Sequence, residues 1–208
     1  MESLLLPLFP LEVVLFPGQP LPLHIFEERY KEMIGECLEN HSEFGVVLVK
    51  ENTIVNAGCT AEITTVIKRH EDGRMDIETA GRRRFEVLFL DDQRSYLRAA
   101  AQFFDDEDSP VPSELREKAL AVHQEILGLL FTDTEERKRY QVDTAAAQLS
   151  FLLSGPLPVD LDFKQTLLGM RSESERLGRV VEYLEKLNGR LQLISRVRAK
   201  VGANGQGR

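Results

Sequence analysis

The 208-residue chain has no tryptophan, only two cysteines and four histidines, and no excess of positive charge. Cys37 and Cys59 lack metal-ligand spacing and read as buried, reduced thiols. His24, His41, His70 and His123 are scattered along the sequence, with no HExxH and no Cys/His cluster, so neither a metal nor a cofactor is expected. The net charge of -8 disfavours non-specific binding to nucleic acid or an anionic membrane over the surface as a whole, although it leaves room for a local basic patch. No apolar run approaches the ~20 residues that a membrane helix needs. The amino terminus carries Glu2, no basic residue and an interrupting Pro7, which does not fit a signal peptide. A cytoplasmic, reducing compartment and no membrane partner are the expectation.

Catalytic signatures are also missing. There is no phosphate loop of the GxxxxGK[ST] type, which needs backbone N–H groups around the phosphates and a lysine reaching them. There is no GxSxG nucleophile elbow. Asp91-Asp92 and Asp105-Asp106 are adjacent pairs, which in a strand point to opposite faces and make poor acid–base partners. The chain is expected not to be an enzyme, and no catalytic residue is assigned.

What is present begins with the run Leu6 to Tyr30, LPLFPLEVVLFPGQPLPLHIFEERY. Pro10, Pro17, Pro20 and Pro22 fix φ and donate no hydrogen bond, so they confine the strands here to short edge or bend pieces. Pro17-Gly18 marks a turn. From Phe26 the spacing becomes helical, with Phe26, Tyr30, Met33, Ile34, Cys37 and Leu38 on one face. Glu27 and Glu28 fall in the first turn, where the helix dipole favours negative charge.

Further on, Phe44 to Val49 is an apolar run of strand length. Ala61, Ile63, Thr65 and Ile67 alternate, as do Met75, Ile77 and Thr79 beyond the hairpin signal Asp72-Gly73. Phe85, Val87 and Phe89 mark another strand, and Leu97, Ala99, Ala101 and Phe103 a last one. Short strands at this spacing with one helix predict a closed or nearly closed barrel over 1–104. The acidic, proline-flanked stretch 105–112 reads as a solvated linker. Helical spacing then covers 113–201. Ser113 is the expected cap of a helix with the stripe Leu115, Ala119, Val122, Ile126 and Leu129. An alanine-rich helix is expected from Asp143 to Leu153, and one capped by Asp160 follows. Ser172 to Glu175 fits a capping box for a long helix carrying Leu177, Val180, Leu184, Leu187, Leu191 and Ile194. Residues 202–208 are expected to be disordered.

The run from Leu6 to Tyr30 resembles the opening of the Lon protease amino-terminal domain. The segments Asp143 to Gly155, Leu157 to Leu168 and Glu175 to Leu184 resemble the same family in order and spacing. The resemblance implies an α+β fold: a PUA-like β-barrel followed by an α-helical bundle with a long C-terminal helix. Full Lon proteases add an ATPase and a Ser–Lys protease module, which are not found in this sequence, so neither activity is implied. The expectation is a stand-alone member that binds unfolded polypeptide or a protein partner, the host Lon protease among the candidates. It would act as an adaptor or regulator in proteolysis or protein quality control.

Three surfaces bear on binding. The turn into the first helix, Phe26, Glu27, Glu28 and Arg29, places charge beside an apolar edge and is the candidate partner-binding site. The plainer alternative there is helix-end solvation with Phe26 in the core. Arg82-Arg83-Arg84 would put Arg82 and Arg84 on one face of a strand and Arg83 on the other, and reads as a structural strand start rather than a phosphate site. From Arg171 to Arg208 nine basic residues meet four acidic ones, a net of +5. With the PUA relation, that asymmetry makes RNA binding the alternative function, although Tyr183 is the only aromatic residue after Phe163.

Overall fold

The computed structural model describes residues 5–108 and 110–204, with side chains to residue 197. It divides into two compact units. The first comprises the chain up to Asp106 together with Pro158–Arg171; the second comprises Glu107–Leu157 and the chain from Ser172.

The first unit holds β1 (Leu6–Leu11), β2 (Pro20–Ile25), α1 (Glu28–Asn40), β3 (Phe44–Lys50), β4 (Thr53–Arg69), β5 (Met75–Asp91) and β6 (Arg98–Phe104). The strand order is β2-β5-β4-β3-β1-β6, and β5 also pairs with β6. That last pairing closes five strands into a barrel, with β2 attached outside the ring. The fold is thus the α+β arrangement expected, a PUA-like barrel accompanied by helices. All pairs are antiparallel except β1 with β3.

Closure depends on one long strand serving three neighbours. Residues 75–80 of β5 pair with β2, and residues 84–91 pair with β6. The handover falls at Gly81. Its N–H donates to the Gln19 carbonyl and its carbonyl accepts from Gly18 N–H, both at 2.8 Å. A Cβ on Gly81 would lie 2.1 Å from the Phe16 carbonyl oxygen, so only glycine admits this loop so close to the strand. The barrel interior contains Leu8, Val47, Phe85 and Ala99, flanked by Leu6, Ile54, Val87, Leu97 and Ala101.

The predicted alternation holds for Met75, Ile77 and Thr79, which are all buried. It fails elsewhere because of β-bulges, each of which adds one residue to one strand and turns the following side chains over. On β4 the pairing shifts after Ile63 and again after Val66. The inward side then passes from Ala61 and Ile63 to Val66, and Ile67 is exposed. On β5 a shift between Val87 and Phe89 turns Phe89 outward, beside exposed Leu88 and Leu90.

α1 buries Tyr30, Met33, Ile34 and Cys37. Met33 and Ile34 each contribute roughly 1.5–3 kcal/mol on leaving water. Phe26 precedes this helix and is exposed, not part of its buried face. The helix ends where His41 takes a left-handed conformation, with φ of 50°.

α5 (Leu161–Gly169) also belongs to the first unit, where it contacts β4. The helical spacing of the sequence predicts these residues within the helical bundle of 113–201. Asp160 caps α5 as expected, accepting from the N–H groups of Asp162 and Phe163. Gln165 donates to the Ala57 carbonyl at 2.8 Å.

The second unit holds α2 (Ser113–Leu130), α3 (Thr134–Lys138), α4 (Leu149–Ser154) and the long α6 (Glu173–Asn204). α6 packs on α2 and α4. Pro112 occupies the cap position of α2 and Ser113 lies inside the helix, with no side-chain cap bond. The buried stripe of α2 is Ala119, His123, Ile126 and Leu127, and Leu129 is exposed. The alanine run does not form the predicted helix. Asp143 accepts from Ala145 N–H, and Arg116 Nη1 takes the carbonyls of Thr144 and Ala146 at 2.8 and 3.0 Å. Those side chains occupy backbone groups a helix would need, so α4 begins only at Leu149. On α6, Leu177, Val180 and Leu184 are buried and Ile194 is exposed. The expected tail 202–208 overlaps α6 to Asn204, and its remainder lies outside the described residues. No helix among the described residues is long and apolar enough to cross a membrane.

Candidate functional site

The turn into α1 sits where three elements meet. β1 supplies Phe9 and Leu11, β2 supplies Leu23 and Ile25, the chain leading into α1 supplies Phe26, and α1 itself supplies Tyr30. Together they line an apolar groove of about 270 Å³. The floor is packed: the Phe9 and Tyr30 rings stack at 4.1 Å between centroids, and Phe9 also meets Phe44. Burial pushes the Tyr30 hydroxyl above its ordinary pKa, so it stays neutral. Phe26 is 59% exposed at the mouth, which excludes the alternative that buried it in the core.

The four residues singled out in the sequence divide. Phe26 and Glu27 line the groove. Arg29 folds back on Glu27, with Nε donating to Oε2 at 2.9 Å, and its guanidinium lies 4.6 Å from the centre of the Tyr30 ring. Glu28 turns away to accept from Lys31 Nζ at 2.7 Å. The rim therefore carries one compensated ion pair.

β2 forms the outer edge of the sheet, beyond β5. Pro20 and Pro22 lie on it and offer no N–H. The edge is therefore a poor template for adding another strand, and the groove beside it must work through side chains.

A second, shallower cleft of about 290 Å³ runs between the β3–β4 turn and the start of α5. Here Lys50 Nζ donates to Asp162 Oδ2 at 2.5 Å, and that bond raises the Lys50 pKa. Glu12, Glu51 and Asp160 also line it, so this cleft is acidic.

The arginine run does not form a cationic patch. A bulge on β5 sets Arg82 and Arg83 opposite the single residue Thr60, whose Oγ1 accepts from Arg83 N–H at 3.0 Å. The bulge breaks the expected alternation, so Arg82 and Arg83 are exposed while Arg84 is buried. Arg82 pairs with Glu62, Arg83 pairs with Glu43 and lies over Phe103, and Arg84 binds Asp106. Asp106 is thus an anchor rather than part of a solvated linker.

Two of the nine basic residues in the carboxy-terminal segment are engaged internally. Arg176 is fully buried. Its Nη2 donates to Glu173 Oε2 at 2.5 Å, its Nε donates to Ser150 Oγ at 2.9 Å, and its guanidinium lies over Phe151. Arg171 pairs with Glu86 and lies over Phe104.

Other perturbed groups have structural causes. Burial pushes the Cys59 thiol up to about 12 and also raises Cys37, so both free thiols are unreactive. Tyr96 is raised to about 12 by burial and by donating to Glu36 Oε2 at 2.7 Å, a bond that ties the loop before β6 to α1. Asp91, one of the adjacent acid pairs, accepts from Arg98 at 2.7 Å. The fold does bring His24 to His70 and Asp76, about 50 residues further along the sequence, to form a group of three.

Comparison with known proteins places these features in a family. The family model described as the ATP-dependent protease La (LON) substrate-binding domain matches residues 5–186. Lon protease of Buchnera aphidicola subsp. Baizongia pistaciae is 24% identical over 218 residues, covering 96% of this chain and 27% of that protein. Lon protease of Escherichia coli K12 is 24% identical over 216 residues, with the same coverage. The chain therefore spans about 27% of the length of these relatives. The crystal structure of a Lon N-terminal domain protein from Xanthomonas campestris aligns with a TM-score of 0.69 at 24% identity, covering 86% of this chain and 98% of the other. The N-terminal domain of the Mycobacterium avium complex Lon protease aligns with a TM-score of 0.62 at 15% identity, covering 87% and 98%. These two likenesses show the fold. With a family match running from residue 5 to residue 186, the chain belongs to the LON substrate-binding domain family.

Proposed function

We propose that this chain is a non-catalytic polypeptide-binding protein, taking apolar side chains of unfolded segments or of a protein partner into the groove at the turn into α1. The observation that carries the reading is Phe26. It is a large apolar side chain held at the mouth of a groove whose floor is packed and whose rim carries a compensated ion pair. An exposed aromatic in such a setting gains free energy when a partner covers it. Edge prolines on β2 leave side-chain insertion, rather than full strand addition, as the binding mode. The family description, a substrate-binding domain, supports the same role. In this reading the protein serves as an adaptor or regulator in proteolysis or protein quality control, with the host Lon protease as a partner.

The test is fluorescence anisotropy with a labelled, permanently unfolded polypeptide, such as a reduced and alkylated protein. Saturable binding that persists at high salt is expected. Phe26→Ser should weaken it at least tenfold, since covering a phenylalanine is worth about 2 kcal/mol. No saturable binding, or equal binding by the variant, overturns the proposal. RNA capture with a steep salt dependence would replace it with the nucleic-acid reading.

A further inference from the structure

We infer that His24, His70 and Asp76 form a binding site for a divalent transition metal of the zinc type. Among the described residues they are one group of three metal-ligating side chains whose donor atoms all lie within 4.8 Å of one another. Three separate pieces of chain place them. His24 is near the end of β2 and stands directly opposite Asp76 in the β2–β5 register. His70 follows the last residue of β4. The turn that holds it closes with His70 N–H donating to the Arg74 carbonyl at 2.8 Å and Gly73 N–H donating to the His70 carbonyl at 3.0 Å.

The side chains converge on one carboxylate. His24 Nδ1 donates to Asp76 Oδ1 at 2.6 Å, and His70 Nε2 donates to Asp76 Oδ2 at 2.9 Å. The two imidazole rings meet edge to face at 6.1 Å between centroids. Each imidazole thus points a nitrogen at a different oxygen of the same carboxylate. A tetrahedral zinc ion with bonds of ~2.0–2.1 Å separates its ligand atoms by about 3.4 Å. All three side chains are at least partly exposed, so the rotations needed to reach that spacing meet no packed core.

The donor set selects the ion class. Two imidazole nitrogens with one carboxylate oxygen suit zinc and its first-row neighbours, whereas calcium and magnesium favour oxygen cages. Three protein ligands leave a fourth position for water or another donor. On binding, the ion takes the place of the N–H groups that now face Asp76, and each neutral imidazole carries its one proton on the ring nitrogen turned away from the ion. His24 also lines the apolar groove, and its ring lies 6.0 Å from that of Phe26. Metal binding does not require the groove to be occupied, so the site stands apart from the polypeptide-binding reading.

The test is calorimetric titration of the chelator-treated full chain with Zn2+ alone. One ion per chain is expected. His24→Ala, His70→Ala and Asp76→Asn should each weaken binding at least tenfold, while His41→Asn, at a surface histidine outside the group, should leave it unchanged. Zinc should raise the melting temperature of the parent chain but not of the three variants. Titration with Co2+ should give visible d–d absorption that His70→Ala abolishes. Melting of the metal-free variants shows whether each is folded, and the His70→Ala result alone suffices if Asp76→Asn is not. No stoichiometric binding, or binding that folded His70→Ala retains, overturns the site and leaves a hydrogen-bonded clamp between β2 and the β4–β5 hairpin.

Discussion

Buried Arg84 donates to Asp106 across 2.5 Å from Nη2, while its Nη1 reaches the carbonyls of Met170 at 2.5 Å and Leu168 at 3.2 Å. One guanidinium therefore joins β5, the end of the chain leaving β6 and the end of α5. Its ring partner is Phe104, 4.7 Å away. The first unit is assembled from segments far apart in the sequence, and this side chain satisfies the polar groups they bring together.

Arg84→Met should cost about 3–5 kcal/mol, because it takes a buried guanidinium away from a partly buried carboxylate and two carbonyls. Arg82→Met and Arg83→Met remove exposed ion pairs and should each cost no more than ~1 kcal/mol. Urea denaturation of the three variants measures the difference. Equal losses would mean that the run acts as a cationic surface and not through one buried member.

Gly81→Ala should be among the most damaging single-methyl additions in the chain. The new Cβ would meet the Phe16 carbonyl oxygen at 2.1 Å and the Leu15 side chain at 3.1 Å, and the first contact is backbone. Either the loop from Phe16 to Gln19 lifts off β5 or β5 bends away from β2. A loss on the order of 3 kcal/mol or more is expected in equilibrium unfolding. A loss below ~1 kcal/mol would show that the loop moves freely.

His123 makes the second unit sensitive to acid. Both ring nitrogens are buried with no hydrogen-bond partner among the described residues, and desolvation lowers the pKa from 6.5 to about 4. The unfolded chain takes up this proton below pH ~6.5, while the folded chain resists it until about pH 4. Stability from this group is therefore complete above pH ~6.5 and falls as the pH drops toward 4, by up to about 3 kcal/mol. His123→Leu should remove that part of the pH dependence. It should also stabilise the chain at neutral pH, since it removes two unpaired polar atoms. Denaturation midpoints of parent and variant from pH 7 to pH 4, ~1.4 kcal/mol per pH unit at most for one group, provide the measurement. Parallel curves would show that His123 finds water or a partner.

Features set by residues close in sequence were legible. The Asp72-Gly73 turn forms as read, with Gly73 at φ of 82°. Asp160 caps α5, and Ser172 Oγ accepts from Glu175 N–H at the start of α6. The buried face of α1 from Tyr30 to Cys37 follows its helical spacing. The β3–β4 turn went unread because Glu51 and Asn52 are not glycine, yet both adopt positive φ, at 50° and 61°. The candidate site was legible only in part. Phe26 and Glu27 line the groove, but Leu11, Leu23 and the stacked pair of Phe9 and Tyr30 come together only once β1, β2 and α1 are packed.

The sequence by itself determined the family, the barrel class, the Asp72-Gly73 turn and the starts of α5 and α6, because each rests on the chemistry of neighbouring residues or on their period. Tertiary structure alone decided where that period breaks. A bulge at Arg82 and Arg83, or beyond Ile63, is a count of residues against a partner strand, and no single strand records it. Tertiary structure also decided that the alanines after Asp143 stay out of a helix, since Arg116 takes the carbonyls of Thr144 and Ala146 from 28 and 30 residues away. It brought His24 to Asp76 and His70 in the same way. Register between distant strands is fixed by the packing of the whole sheet, whereas spacing along one strand reports only which side chains share a face.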